Sequence, residues 1–98
     1  MHISVKILST KAPMRYCVRR LVVLAETVLQ AEYPDLEVEI QELKTTEEIY
    51  KYTQVLMAPG LVINEKLVYN LWIPTKEMVF GWMREAIAET QSVQKTAN

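Results

Sequence analysis

Ile3, Val5 and Ile7 alternate with His2, Ser4 and Lys6, the period-two pattern of a half-buried strand. A short polar loop, Ser9 to Ala12, comes next, and Pro13 suits the opening of a helix, where its missing N–H costs nothing. From there Val18, Leu21, Val22, Ala25, Val28 and Leu29 recur at helical spacing, with Arg19, Arg20, Glu26 and Gln30 on the other side. Pro34-Asp35 stops that helix. Leu36, Val38 and Ile40 then alternate with Glu37, Glu39 and Gln41, a second strand. Thr45-Thr46-Glu47-Glu48 is a capping box that opens a short helix carrying Ile49 and Tyr52.

The stretch Val55 to Asn64 organises the second half of the chain. Pro59, between Ala58 and Gly60, fits only the entry or edge of a strand, so it introduces a short buried strand, Leu61 to Ile63. Asn64-Glu65-Lys66 turns the chain into Leu67-Val68-Tyr69, giving a hairpin. A two-residue turn here would place Glu65 at positive φ, so a longer loop is expected. After Ile73-Pro74, Thr75 caps a last helix with Val79, Trp82, Met83, Ala86 and Ile87 as its buried face. Periodicity lapses at Gln91.

The order is β-α-β-α-β-β-α. The first crossover makes strands one and two parallel, and the hairpin makes the last two antiparallel. The predicted fold is α/β, a four-stranded mixed sheet with helices on both faces. One domain spans residues 1–90, and 91–98 form a flexible C-terminal tail. At 98 residues there is no room for a second core.

Charge changes this picture more than composition does. Of 11 basic and 12 acidic residues, five basic and no acidic ones fall in the first 25, giving +5 there and −6 over the remainder. That balance disfavours nucleic acid as a partner despite the basic run around Tyr16. A single cysteine, Cys17, and a single histidine, His2, exclude an intrachain disulfide, a Cys-rich metal framework and a His-based metal site. No metal site and no cofactor is implied. The longest uninterrupted apolar run, Leu21 to Ala25, is far short of the ~20 residues that span a bilayer. No secretory signal follows Met1, so no membrane association and a cytoplasmic location are expected.

The element order and the segment Met57-Ala58-Pro59-Gly60-Leu61-Val62-Ile63-Asn64-Glu65-Lys66, followed by Ile73-Pro74-Thr75, resemble the thioredoxin–glutaredoxin superfamily. The likeness is nearest to its small stand-alone thioredoxin-like proteins and covers residues 2 to 88. It implies a thioredoxin-like, glutaredoxin-size fold with Pro59 as the cis-proline. It also implies that the backbone of Ala58 pairs with an extended peptide or protein partner by strand addition. The departure is the Cys-Pro-x-Cys motif. With Pro13 aligned to its proline, Ala12 and Arg15 occupy the cysteine positions; a rival register uses Met14 and Cys17. Neither leaves the two thiols that dithiol exchange requires.

The resemblance therefore implies a binding groove of Lys11, Ala12, Pro13, Met14, Arg15, Met57, Ala58, Pro59 and Gly60 in a module without dithiol chemistry. The alternatives are a monothiol oxidoreductase acting through Cys17, and a structural subunit or homodimer paired through the hairpin edge. Cys17 lies a full turn past Pro13 and borders the stripe of Val18, Leu21 and Val22, which points to a packed side chain. Its proximity to Arg15, Arg19, Arg20 and a helix N-terminus is what a reactive thiol would use. Arg15 reads as part of a solvated cationic face, or with Lys11 and the free amides as a small-anion site at Ala12–Arg15. Met14, Met57 and Trp72 are candidates for an exposed apolar patch beside it.

Overall fold

A computed structural model of the chain describes the backbone of residues 1–54 and 59–96, with side chains as far as residue 92. The elements are β1 (His2–Leu8), α1 (Ala12–Glu32), β2 (Glu37–Leu43), α2 (Thr46–Ile49), β3 (Gly60–Ile63), β4 (Lys66–Tyr69) and α3 (Lys76–Thr96). They form a four-stranded sheet in the order β2-β1-β3-β4. β1 and β2 are parallel, and β1–β3 and β3–β4 are antiparallel.

Alternation in β1 sends Ile3, Val5 and Ile7 to one face of the sheet. There they meet Val18, Val22, Ala25 and Leu29 of α1, Leu61 and Ile63 of β3, and Val79, Met83, Ala86 and Ile87 of α3. The opposite face is covered thinly. Leu8, Leu43 and Val62 pack under Ile49 of α2, with Tyr52 alongside. α1 and α3 share the larger core and are joined at its rim by a bidentate pair, both Arg84 Nη atoms donating to Glu32 at 2.9 Å. That pair holds the Glu32 carboxyl below, and the Arg84 guanidinium above, their ordinary ranges.

Several element ends differ from the periodicity. Leu36 is buried but precedes β2, which continues two residues beyond Gln41. Val28 is exposed and Leu21 only half-buried, because α1 has a narrower inner stripe at Val18, Val22, Ala25 and Leu29. Trp82 is half-buried, its ring 5.1 Å from that of Tyr69. α3 keeps helical backbone to Thr96, past the Gln91 at which apolar spacing lapses. Thr75 caps α3 by accepting from Met78 N at 3.2 Å. In the α2 cap Thr45 accepts from Glu48 N at 3.3 Å, while the Glu48 carboxylate accepts the Thr45 hydroxyl at 3.0 Å.

The hairpin departs from the expected longer loop. Ile63 pairs directly with Lys66, and the two residues between them both have positive φ, 50° at Asn64 and 67° at Glu65. Asn64 is a common occupant of such a position, and here it prolongs the β1 ladder. Its amide donates to Ser4 O at 2.9 Å and its Oδ1 accepts from Ser4 N at 3.0 Å. Glu65 has no such local excuse. Its carboxylate instead accepts from Lys6 Nζ at 2.6 Å and from the Tyr52 hydroxyl at 2.8 Å, and Lys6 also donates to Tyr52 at 2.6 Å. This clamp offsets a backbone cost of about 1–2 kcal/mol for a left-handed L-residue. Glu65→Ala removes the clamp and keeps the strain, whereas Glu65→Gly removes both. Chemical denaturation is therefore expected to find the glycine variant about 1 kcal/mol more stable than the alanine variant.

The same clamp has a defined pH window. The hydrogen bond from Lys6, then that from Tyr52, holds the Glu65 carboxyl below its ordinary range. Glu65, then Tyr52, holds the Lys6 ammonium above its own. Glu65 thus stabilises the fold above its unfolded pKa of about 4.3, and that contribution is lost as pH falls through the lower folded value. Lys6 contributes below about pH 10.4 and ceases to as pH rises through its higher folded value. The stability difference between the native chain and Glu65→Gln is expected to stay flat from about pH 5 to 9 and to shrink in acid. A difference that does not change with pH would show that the clamp carries no stability.

Candidate functional site

Strand register gathers the candidate residues at one end of the sheet. Leu8 closes β1 opposite Leu43 of β2 and Gly60 of β3, so Ser9–Arg15, Thr45–Ile49 and Pro59–Gly60 meet there. β4 runs antiparallel to β3 and delivers Leu71 and Trp72 to the same end. Both are exposed, Trp72 at 61%. Pro59 and Gly60 are buried. A Cβ on Gly60 would come within 3.3 Å of Leu8 Cβ, 3.5 Å of Asn70 Oδ1 and 3.6 Å of Tyr69 O, so a side chain fits poorly between β1 and β4. Met57, Ala58 and hence the Ala58–Pro59 peptide lie outside the described residues.

α1 begins without a side-chain cap at Lys11. Ser9 takes over that task from two residues upstream, its Oγ accepting from Lys11 N at 3.1 Å. Ser9 N in turn donates to Leu43 O at 3.2 Å, which ties the loop to β2. Lys11 and Pro13 are exposed, and Ala12 and Met14 are half-buried.

Arg15 is the correction with most consequence. It is neither a solvated cation nor an open anion receptor, but a buried one, 7% exposed. Its Nη1 donates to Ser9 O at 3.0 Å and its Nε to Glu42 Oε1 at 3.2 Å. Arg19 Nη1 completes the carboxylate by donating to Oε2 at 2.8 Å. Helix α1, the loop after β1 and the edge strand β2 are thereby bound through one guanidinium. Arg15 and Arg19 share the one Glu42 carboxylate, so an anion at this helix end would find the Arg15 Nε and Nη1 donors already engaged.

Cys17 is likewise corrected: it is exposed, not packed. Successive helical residues are about 100° apart, and Arg15 and Val18 take the inner face, which turns Cys17 outward. Of the two registers, one sets the second cysteine position at buried Arg15 and the other at exposed Cys17. Thiol-reactive dyes are expected to label native Cys17 within about tenfold of the rate in denaturant; labelling only on unfolding would contradict the exposure.

Glu42 and Ser9 did not stand out among the candidate residues, yet they complete this end of the sheet. The alternation Leu36, Val38, Ile40 continues to position 42, placing a carboxylate on the face that looks at α1. An acidic residue at an inward position needs a cation, and that was the available signal.

Architecture and register thus define a small α/β domain whose loop-rich sheet end carries a proline-led strand beside a helix N-terminus. The chain belongs to the thioredoxin-domain family, a model of which matches residues 1–84. Neither a curated protein nor a solved structure matches the chain. Among the described residues no helix is long and apolar enough to cross a membrane.

Proposed function

We propose that this thioredoxin-like chain is a binding module without dithiol exchange, and that it holds an extended peptide at the sheet end where Lys11–Arg15 and Pro59–Gly60 meet. The observation that carries the reading is Arg15. The position of a resolving thiol is filled by a guanidinium that Glu42 and Ser9 engage as structure. The site has been rebuilt for rigidity, while the apolar surroundings a bound chain would use, Leu71 and Trp72, stay exposed. Selection of a random-peptide library on the full chain tests this. Selected peptides should shift the NMR signals of Lys11 to Met14, Gly60 and the Trp72 indole. Peptides that perturb only the outer face of α1, or a library that yields none, would defeat the reading.

The exposure of Cys17 favours one second reading, a monothiol oxidoreductase. Reduction of a glutathione mixed disulfide that disappears in Cys17→Ser would establish it in place of the first.

A further inference from the structure

Among the described residues β2 forms one margin of the sheet, with β1 beside it and no strand on its other side. In a parallel ladder one residue directs its N–H and C=O to the same side, and the next directs both to the other. Glu37 N donates to Met1 O at 2.7 Å and Leu43 O accepts from Ser9 N at 3.2 Å. Glu37, Glu39, Gln41 and Leu43 are therefore the residues bonded to β1. Val38, Ile40 and Glu42 turn three amides and three carbonyls outward, evenly spaced along an unbroken register. Among the described residues nothing donates to or accepts from these groups.

Side chains frame this edge on two sides. Glu37, Glu39 and Gln41 stand exposed on the face away from α1. On the other face Val38 and Ile40 pack, partly buried, against the larger core. Arg19 of α1 donates to Glu42, and Gln30 Nε2 donates to Leu36 O at 3.2 Å, so one ridge of the helix meets β2 at both its ends. Val23 and Glu26 lie between them on that ridge, at intervals of four, three and four residues. Val23, like Tyr16, Leu24 and Val28 further round the outer side of α1, is exposed.

The unbalanced charge beside the edge is of one sign. Glu37 and the half-buried Glu26 have no side-chain partner among the described residues, and Glu39 meets only the His2 ring, at 3.3 Å. The nearby cations are engaged: Arg19 with Glu42, Lys6 with Glu65 and the N-terminal ammonium with Asp35. Lys44 lies past the end of the strand. A second copy of this chain is a poor occupant, because β2 against β2 would crowd the Glu37 and Glu39 carboxylates of both onto one face.

We propose that the β2 edge accepts an extended basic segment of another protein as a fifth strand. Lysine or arginine at every second position lies beside Glu37 and Glu39, and small apolar residues turn towards Val38, Ile40 and α1. Main-chain hydrogen bonds to Val38, Ile40 and Glu42 hold the segment, and the carboxylates select its charge. The peptide site beside β3 lies across β1 from this edge, and either reading can fail alone.

NMR titration of the full chain with a peptide of about eight residues, lysine alternating with valine, tests it. Amide exchange at Val38, Ile40 and Glu42 should slow about tenfold or more at saturation, while Gln41 and Leu43, already bonded to β1, should change little. A strand has two edges and only one faces β2. N-methylation of the valines in one peptide and of the lysines in another should therefore weaken one about tenfold or more and leave the other near the parent. Glu37→Lys/Glu39→Lys should lose about tenfold or more for the parent peptide and bind one of glutamate alternating with valine in its place. Absence of binding at millimolar peptide overturns the proposal, as do shifts confined to Lys11–Met14, Gly60 and Trp72. Equal affinity of the two methylated peptides would reduce the contact to charge attraction, and indifference to the charge reversal would remove the carboxylates from it; either result overturns the proposal too.

Discussion

Arg15→Met is expected to destabilise the domain by about 2–3 kcal/mol, lowering Tm by roughly 10–20 °C. The methionine fills much of the same volume, so the loss is electrostatic rather than a cavity. Glu42, only 14% exposed at its side chain, would keep Arg19 but lose its buried partner, and Ser9 O would lose its donor. An exposed ion pair would contribute far less, within about 1 kcal/mol. Arg15→Lys should recover less than half, because a point ammonium cannot serve Ser9 and Glu42 together as the planar fork does. Arg15→Met/Glu42→Gln should be more stable than Arg15→Met alone, since the stranded carboxylate is gone. Denaturation of this set, closed as a double-mutant cycle, decides the matter. An Arg15→Met variant as stable as the native chain would reduce the pair to a surface contact.

Ile49→Ala should be at least as damaging, at about 2–4 kcal/mol, but the loss should be confined to one side of the sheet. Ile49 is fully buried and is the one α2 residue among the four described residues of the smaller core cluster. A four-residue helix has little stability of its own, so its cap at Thr45 and its neighbours hold only while Ile49 is seated. Hydrogen exchange in Ile49→Ala should accelerate at Ile49 and Tyr50, whose amides donate to Thr45 O and Thr46 O, ahead of the β1 and β3 amides. Tyr52, bound to Lys6 and Glu65, is the second tether. Tyr52→Phe should therefore add more than its own effect in the Ile49→Ala background. Uniform acceleration across the domain would show that the two faces unfold together.

These two positions also measure what the sequence disclosed. Ile49 was legible: a capping box and one apolar residue announced both the helix and its anchor. The strands were legible too, because period-two alternation survives wherever one face is buried, and with them came the sheet. Arg15 was not. A basic residue in the first turn of a helix is read as solvated, and only a carboxylate two strand positions beyond Ile40, brought close by the crossover, makes its burial favourable. Cys17 was hidden for a related reason: it sits on the border between two apolar stripes, and the outer one cannot be seen while a helix is assumed to bury a single face. Glu65 was misjudged because turn preferences are local, while the groups that hold it, Lys6 and Tyr52, are 59 and 13 residues away.

The β3–β4 pairing slips between Leu61 and Val62, which face Tyr69 and Leu67 and leave Val68 as an extra residue. A strand bent in this way offers no evenly spaced row of amides along its outer margin. Copies of the chain crowded together would therefore find it hard to add sheet to sheet at that margin, and fibril growth has no regular template there.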